Sequence, residues 1–456
     1  MSVLALEIND VDLILGRADG GWQSLGPGYA LLDPGQPLLG DEARGQARLR
    51  PKRLQNRFWS ALSVEPLAVP ATYAATNADL ACAQLRAAWE QANGAEATAA
   101  VLLVPGTFSR EALGLLLGIA GECGVPAKAV VDTAVVAAEP PADGRPVLHL
   151  DVHLHFVIVT EVLPANGVAR GEIQVSEAVG HASLEQAWAK TVAEAFVRQT
   201  RFDPLHDARS EQDLFDRLPG WLEALEQTGE TELTLEQGDR TLRANMSRRQ
   251  LLDVAAPPYE RVHRIVDALR VSRGAVSLQL SDRAARLPGL AERLAGLPDT
   301  ELLRLAPERA VAGALAQAEY LTGGEGAVRY VTSLPEAGAT APPVAALPPA
   351  EDDHRPAPSH LLSGTVAYVL NDTPLTLGVA PHSDPRSLVV AGTVQGVSRR
   401  HCSLVRRNGE VVVEDHSRYG TFVNDRRVSE EATLKAGDVL RIGTPGSEYL
   451  LLEARD

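Results

Sequence analysis

The stretch GVSRRHCSLVRRNGEVVVEDHSRYGTFVND, Gly396–Asp425, decides the fold of the C-terminal part of the chain. Its apolar runs are short, and Gly, Asn and Asp residues separate them. Short runs bounded by such turn residues are typical of β-strands. The pattern extends outward to PLTLGV and SLVVAG before this stretch and to DVLRIG after it. The sequence therefore predicts an all-β sandwich of about 95 residues.

Three motifs follow one another through this region. They are Ser-x-x-His at Ser398 and His401, the segment VEDHSRYGTFVND with Gly420, Thr421 and Asn424, and LKAGDVLRIG. Their order and spacing resemble the forkhead-associated (FHA) domain over residues 361–456. The resemblance implies an eleven-stranded β-sandwich whose apical loops bind phosphothreonine peptides.

A doubly charged phosphate needs fixed hydrogen-bond donors and at least one cation. In the FHA family the serine of Ser-x-x-His donates to the phosphate, and this chain keeps that serine. Arginines follow it directly and recur in the next loop. The resemblance thus implies these phosphopeptide-binding residues: Ser398, Arg399, Arg400, Arg418 and Tyr419.

The chain departs from the FHA pattern at two positions. Val379 follows Gly378 where the family has an arginine, and Tyr419 stands where the family has the asparagine that holds the peptide backbone. Three readings stay open: a phosphopeptide bound by displaced arginines, an unphosphorylated protein partner, or a purely scaffolding domain. In each of them a second set of residues braces the loops: Gly378, His401, Gly420, Thr421 and Asn424.

Upstream of this module the composition changes abruptly. Pro335–Pro358 reads PEAGATAPPVAALPPAEDDHRPAP, which has no apolar periodicity and is typical of a semi-extended linker. We therefore place a linker at 335–360, between a large domain at 1–334 and the FHA-like module at 361–456.

The large domain alternates strands and helices. VLALEI and AAVLLVP are buried-strand runs, whereas ADLACAQLRAAWEQA and SREALGLLLGIAGECG have apolar residues at helical spacing. Ser109 is the predicted N-cap of the latter helix, and Ser183 with Gln186 predicts the start of another. This alternation predicts an α/β architecture.

The order of these elements resembles the actin-like nucleotide-binding domain of DnaK-type heat-shock chaperones. Its supporting segments include LLGDEARGQARLRP and AAVLLVPGTFSREALGLLLGIAGECGVPAKAVVDTAVVAA. The resemblance implies two lobes, about 1–145 and 146–334, each built on a ribonuclease-H-like sheet.

ATP binding in that fold depends on glycine-rich hairpins, because only glycine lets backbone N–H groups approach the phosphates closely. Here the first hairpin reads Glu7-Ile8-Asn9-Asp10, the second reads DVHLH from Asp151, and the adenosine loop reads SDRAAR from Ser281. The glycines are missing from all three. We therefore predict a chain that does not hydrolyse ATP, with a vestigial nucleotide site at Glu7, Asp10, Asp151 and His153.

The second hairpin lies in VLHLDVHLHFVIV, which permits another interpretation. If 147–159 formed one strand, alternate side chains would place His149, Asp151, His153 and His155 on one face. His-x-His on a strand can chelate zinc or iron. A turn near His153 would destroy that arrangement, and the loop-replacement reading is preferred, so no metal or cofactor is predicted.

The overall composition narrows the classes of partner. The net charge is −16, from 43 Lys and Arg against 59 Asp and Glu, which disfavours nucleic acid or an anionic membrane. The three cysteines, Cys82, Cys123 and Cys402, are far apart in sequence and indicate a reducing compartment. We find no signal peptide and no membrane-spanning run, and predict a cytoplasmic protein.

The leading hypothesis is a non-catalytic adaptor, in which a pseudo-ATPase domain is a platform and the FHA-like module recruits a protein partner, with or without phosphothreonine. The alternative is an ATP-binding, chaperone-like protein with atypical phosphate loops, in which Glu7, Asp10 and Asp151 would lie on the magnesium side.

Overall fold

The structure is a computed structural model. It divides into two units, Met1–Val344 and Ala345–Asp456, which are described separately below. The division falls inside the Pro- and Ala-rich segment, of which residues 336–356 lie outside the described part of the chain. The described residues are 2–32, 35–71, 73–164, 167–323, 328–335, 357–363, 366–380, 386–390, 397–418, 420–424, 426–428, 430–443 and 446–452.

The N-terminal unit mixes α-helices and β-strands, as the alternating sequence pattern predicts. Its strands are β1 Val3–Glu7, β2 Ile14–Arg17, β3 Trp22–Ser24, β4 Ala30–Leu31, β5 Leu38–Leu39, β6 Leu54–Gln55, β7 Pro66–Ala71, β8 Ala74–Thr76, β9 Ala99–Val104, β10 Ala127–Asp132, β11 Val147–Val152, β12 Val157–Pro164, β13 Gly167–Ser176, β14 Glu230–Gln237, β15 Arg240–Ser247, β16 Val276–Leu280, β17 Thr300–Arg304, β18 Arg329–Val331 and β19 Ser333–Pro335. Its helices are α1 Gly40–Arg44, α2 Asn77–Gln91, α3 Arg110–Glu122, α4 Thr133–Ala137, α5 His181–Thr200, α6 Ala208–Thr228, α7 Arg248–Arg273, α8 Asp282–Ala285, α9 Leu290–Ala295, α10 Arg309–Ala316 and α11 Ala318–Thr322, with 3-10 turns at Pro51–Arg53 and Gly94–Glu96.

Two larger sheets of this unit share one strand arrangement. The first has the order β3-β2-β1-β9-β10-β18, with β1, β2 and β3 antiparallel and β1, β9 and β10 parallel. The second has the order β13-β12-β11-β16-β17, with β19 at its edge. Here too the first three strands are antiparallel and β11, β16 and β17 are parallel. Each sheet is therefore an antiparallel meander followed by two parallel strands.

The first sheet is buried on both faces, which explains its continuous apolar runs. Leu4, Leu6 and Leu102 contribute to one core cluster, which includes residues of α2 and α3. Ala5 and Leu103 alternate with them along the strands and lie on the other face, where they belong to a second cluster with residues of α4 and α10.

In strand β11 of the second sheet, apolar and polar side chains alternate between the two faces, as the sequence VLHLDV predicts. Leu148, Leu150 and Val152 join a large core with α5, α6 and α7. His149 and Asp151 alternate with these residues along the same strand, lie on its other face, and are also buried. A buried carboxylate requires internal partners, and those of Asp151 form the cluster described below.

Helix α10 crosses α4 at unusually short range. A Cβ atom added to Gly313 would lie 1.9 Å from the carbonyl oxygen of Val136. Only glycine permits this approach of the two backbones.

The helix starts only partly follow the sequence predictions. Ser109 caps α3 by accepting from the Ala112 N–H at 3.2 Å, as predicted. The predicted start at Ser183 is wrong, because Gly180 is the N-cap of α5 and Ser183 lies in its first turn. Ser183 Oγ instead accepts from Gly180 N at 3.1 Å.

The C-terminal unit is a β-sandwich, as predicted. Its strands are β20 His360–Ser363, β21 Val366–Val369, β22 Leu375–Gly378, β23 Ser387–Val389, β24 Cys402–Arg407, β25 Glu410–Asp415, β26 Thr421–Val423, β27 Arg426–Arg427, β28 Glu431–Leu434, β29 Val439–Gly443 and β30 Gly446–Leu452. One sheet has the order β21-β20-β30-β29-β26-β27 and the other β23-β22-β24-β25-β28. Leu361, Leu377, Leu404, Val413 and Leu451 are among the residues of the shared core.

Candidate functional site

Two groups of side chains are candidates: the loops at one end of the β-sandwich and a buried ionic cluster in the N-terminal unit. In the sandwich, the turn before β24 packs directly on the end of β22. A Cβ atom at Gly378 would lie 2.1 Å from the carbonyl oxygen of Arg399, so glycine is required there. Val379 N donates to Ser398 O at 3.2 Å, and Ala380 N to Arg399 O at 3.1 Å. These contacts fix the backbone of the turn that carries Ser398 and Arg399.

His401 joins this turn to the loop before β26. It is fully buried, and its Nδ1 accepts from Ser398 N at 3.1 Å. Its Nε2 lies 3.0 Å from the carbonyl oxygen of Gly420. Burial lowers the pKa of His401. A neutral ring protonated at Nε2 satisfies both contacts, so His401 has a bracing position between the two loops.

The second loop is held by its own hydrogen bonds. Thr421 Oγ1 donates to Asp415 Oδ1 at 2.8 Å, and Ser417 N donates to the same oxygen at 2.9 Å. Gly420, at a φ of 101°, donates from its N to Ser417 Oγ at 2.7 Å. Burial opposes ionisation of Asp415, but the hydrogen bonds from Ser417 and Thr421 outweigh it and lower its pKa. A fixed carboxylate thus organises this loop.

Asn424 braces the loop farther along. Its Nδ2 donates to Asp438 Oδ1 at 2.8 Å, and its Oδ1 accepts from Val439 N at 2.9 Å. Asn424 itself has a φ of 48° in the left-handed region, which asparagine tolerates better than most residues.

The side chains suited to phosphate lie on these two braced loops. Ser398 Oγ accepts from Arg418 N at 3.3 Å, which brings the loops together at the serine. Arg399, Arg400 and Arg418 are exposed. Tyr419 lies outside the described residues. The arrangement offers a hydroxyl and guanidinium groups on a rigid frame, which is the donor set for a phosphate dianion.

In the N-terminal unit, three charged side chains form a buried ionic cluster. Glu7 ends β1, Asp151 lies in β11, and Arg283 lies in α8. Arg283 Nη2 donates to Asp151 Oδ2 at 3.0 Å and Nε donates to Oδ1 at 3.2 Å. The same guanidinium is also ion-paired with Glu7 Oε1. The side chains are only 11% exposed for Arg283, 4% for Asp151 and 2% for Glu7.

The pKa shifts follow from this enclosure. Burial would raise the pKa of Asp151, but the charge of Arg283 outweighs it and holds that pKa well below its usual range. Burial raises the pKa of Glu7 despite the same guanidinium. Burial would lower the pKa of Arg283, but Asp151 and Glu7 raise it above its ordinary value. The guanidinium is therefore the resident cation between the two carboxylates.

Asn9 and Asp10 tie the first hairpin to the second. Asn9 Nδ2 donates to Asp151 Oδ2 at 3.1 Å and to Val152 O at 3.2 Å. Asp10 Oδ1 accepts from Leu154 N at 2.8 Å and lies 3.2 Å from His153 Nδ1. The residues predicted as a vestigial nucleotide site therefore come together with Arg283, which lies in the glycine-poor segment SDRAAR and was not itself predicted as a site residue.

The histidines of the second hairpin separate. The chain turns between β11 and β12, with His153 N donating to Phe156 O at 2.8 Å. The His153 ring stacks on Phe156, and His155 Nε2 contacts Asn56 O at 3.0 Å. The single-face row fails because the strand ends at Val152. Within the described ranges, no group of three or more His, Cys, Asp or Glu side chains is placed to hold a metal ion.

Comparison with protein families identifies one match, to the FHA domain, at residues 380–443. A comparison with curated proteins finds no match to the chain. Among the helices that the structure describes, none combines the length and the apolar character needed to cross a bilayer. FHA domains recognise phosphorylated segments of partner proteins. The β-sandwich at the C-terminal end of this chain thus contains an FHA domain, with the braced loops of Ser398 and Arg418 within the matched residues.

Proposed function

We propose that this chain is a non-catalytic adaptor, in which the FHA domain recruits a phosphothreonine-containing protein and the N-terminal unit is an actin-like pseudo-ATPase. The observation that carries the pseudo-ATPase assignment is the guanidinium of Arg283 between Glu7 and Asp151.

The shared topology of the two large sheets supports an actin-like fold. In each, an antiparallel meander is followed by two parallel strands, β9 and β10 in one and β16 and β17 in the other. This is the strand order of the ribonuclease-H-like sheets that the sequence resemblance implies. Helix α4 follows β10 of the first sheet in the chain, and α10 follows β17 of the second sheet. The close crossing of these two helices at Gly313 therefore connects the two halves of the unit.

The buried ionic cluster supports the loss of ATP hydrolysis. Hydrated magnesium and the ATP phosphates would need the space and the carboxylates that Arg283 uses. The first N–H groups of α5 are also consumed, because His181 N donates to His153 O at 2.9 Å and Ala182 N to Leu154 O at 3.0 Å. A helix N-terminus used in this way has fewer donors left for an anion.

Calorimetric titration of the full chain with magnesium-ATP tests the pseudo-ATPase assignment. We expect no saturable heat and no phosphate release. Saturable binding with turnover would refute the assignment and favour the ATP-binding, chaperone-like alternative.

The exposed arginines on braced loops support phosphate recognition by the FHA domain. Arg399, Arg400 and Arg418 supply positive charge near Ser398, although Val379 replaces the arginine that the family pattern has after its glycine. A linker between the two units would let both engage partners at once.

A degenerate phosphothreonine peptide library, compared with its unphosphorylated counterpart, tests this recognition. We expect selective enrichment of the phosphorylated library, and an affinity loss of roughly tenfold for each of Ser398→Ala, Arg399→Ala and Arg418→Ala. Arg407→Ala is the matched control, because Arg407 is an exposed arginine at the opposite end of β24 that pairs with Glu414. Equal enrichment of both libraries would favour an unphosphorylated protein partner, and enrichment of neither library would favour a scaffolding domain.

A further inference from the structure

Two cysteines that are far apart in sequence meet on the surface of the N-terminal unit. Cys82 lies in α2, and Cys123 directly follows α3 as its C-cap. Their Sγ atoms are 3.7 Å apart, although 41 residues separate them. Both are half-buried free thiols, so small oxidants can reach them.

The surroundings of the two sulfur atoms differ. Arg86, one turn beyond Cys82 in α2, places Nη2 3.7 Å from the Cys82 sulfur. The Cys82 sulfur therefore has a positively charged side chain in direct contact with it. The Cys123 thiol instead donates to the carbonyl oxygen of Cys82 at 3.4 Å. Burial and the nearby Cys82 raise the pKa of Cys123 to about 12.

We propose that Cys82 and Cys123 are a peroxide-reactive thiol pair, in which Cys82 is oxidised first and Cys123 then closes a disulfide between α2 and α3. The Cys82 thiolate attacks one oxygen of a hydroperoxide, the O–O bond breaks, and the other oxygen leaves as an alcohol or water after taking a proton. The resulting sulfenic acid is attacked by Cys123, an S–S bond forms, and the sulfenic oxygen leaves as water with the Cys123 proton.

The geometry is suited to the second step. A disulfide needs the sulfur atoms to approach to about 2.0 Å, so side-chain rotation has to close a gap of about 1.7 Å. The thiols already contact each other, and the intervening chain is folded on the same core that both cysteines border. The bond would link two helices that pack against one sheet, so the folded unit accommodates it locally.

Hydrogen peroxide treatment of the full chain tests the proposal, followed by denaturation, alkylation and intact-mass measurement. We expect one alkylated thiol in place of three, which lowers the intact mass by two alkyl groups, and a single cross-linked Cys82–Cys123 peptide that dithiothreitol releases. Cys402 is the internal control, because it is fully buried in the sandwich core.

Variants establish the order of the two steps. Cys123→Ser should accumulate a sulfenic acid at Cys82 that dimedone traps, whereas Cys82→Ser should leave Cys123 reduced. Arg86→Gln should slow oxidation of Cys82 several-fold without changing the product. Circular dichroism confirms that each variant is folded. Three thiols still alkylated after peroxide, an intermolecular disulfide, or faster oxidation of Cys402 than of Cys82 would overturn the proposal.

Discussion

Arg283 donates to both oxygens of the Asp151 carboxylate, at 3.2 Å from Nε and 3.0 Å from Nη2, across a separation of 132 residues. The same guanidinium is paired with Glu7 at the end of β1. One side chain of α8 therefore connects the first strands of both large sheets. The two buried carboxylates therefore share an internal cation as their partner.

Arg283→Ala should destabilise the N-terminal unit by about 3–5 kcal/mol, because it leaves two buried carboxylates without their cation. Urea unfolding followed by tryptophan fluorescence measures this change. The five tryptophans, Trp22, Trp59, Trp89, Trp188 and Trp221, all belong to that unit, so the signal excludes the FHA domain.

Arg286→Ala is the matched control for that measurement. Arg286 is in the same segment, but its side chain is 69% exposed and forms a surface ion pair with Asp282, so we expect a change of about 0.5 kcal/mol or less. Equal effects of the two substitutions would show that the buried ionic cluster does not stabilise the fold.

Gly313→Ala should destabilise the same unit by about 2–4 kcal/mol, since the new methyl group would collide with the Val136 carbonyl and push α4 and α10 apart. Gly220→Ala in α6 should instead stabilise it by up to about 1 kcal/mol, because a Cβ atom there meets nothing within 4 Å and alanine favours the helix. Thermal unfolding monitored by tryptophan fluorescence distinguishes the opposite signs. Destabilisation by both would argue against a tight helix crossing.

His149 should make the N-terminal unit sensitive to mild acid. Burial lowers its pKa from 6.5 to about 4, so its contribution to stability is complete above pH 6.5 and is lost as the pH falls toward 4. The loss is about 3 kcal/mol at most. His149→Gln should flatten the dependence of unfolding free energy on pH between 6.5 and 4. An unchanged slope in the variant would assign the acid sensitivity to other groups.

Val379→Arg should raise the affinity of the FHA domain for phosphothreonine peptides roughly tenfold, by supplying a cation next to the serine turn. Val379 N already contacts Ser398 O at 3.2 Å, so the new side chain begins beside the proposed phosphate site. Fluorescence anisotropy with a peptide selected from the library measures the gain. Thr433→Arg adds the same charge at an exposed position of β28 and should have little effect; an equal gain from both would indicate non-specific attraction.

The sequence predicted the local features well. Alternation in VLHLDV identified the buried row of Leu148 and Leu150, and Ser109 was correctly placed as an N-cap. It failed at Ser183, because the hairpin turn at His153 and Leu154 supplies carbonyl partners that let α5 begin three residues earlier, with Gly180 as its N-cap. When the first N–H groups of a helix are bonded by a turn that is distant in the sequence, no capping residue is needed next to the helix, and the local sequence does not mark its start.

For the candidate sites, too, the sequence predicted individual residues but not their long-range partners. Glu7 and Asp151 were identified from missing glycines, and an arginine in the third glycine-poor loop was the available signal for their counter-charge. The sequence by itself determined the strands, the FHA motifs and the absence of phosphate-binding glycines, because these depend on residues close together in the chain. Only the tertiary structure decided that Arg283 meets Asp151 and that Cys82 meets Cys123, because the partner of a buried charge or thiol depends on the path of the intervening chain.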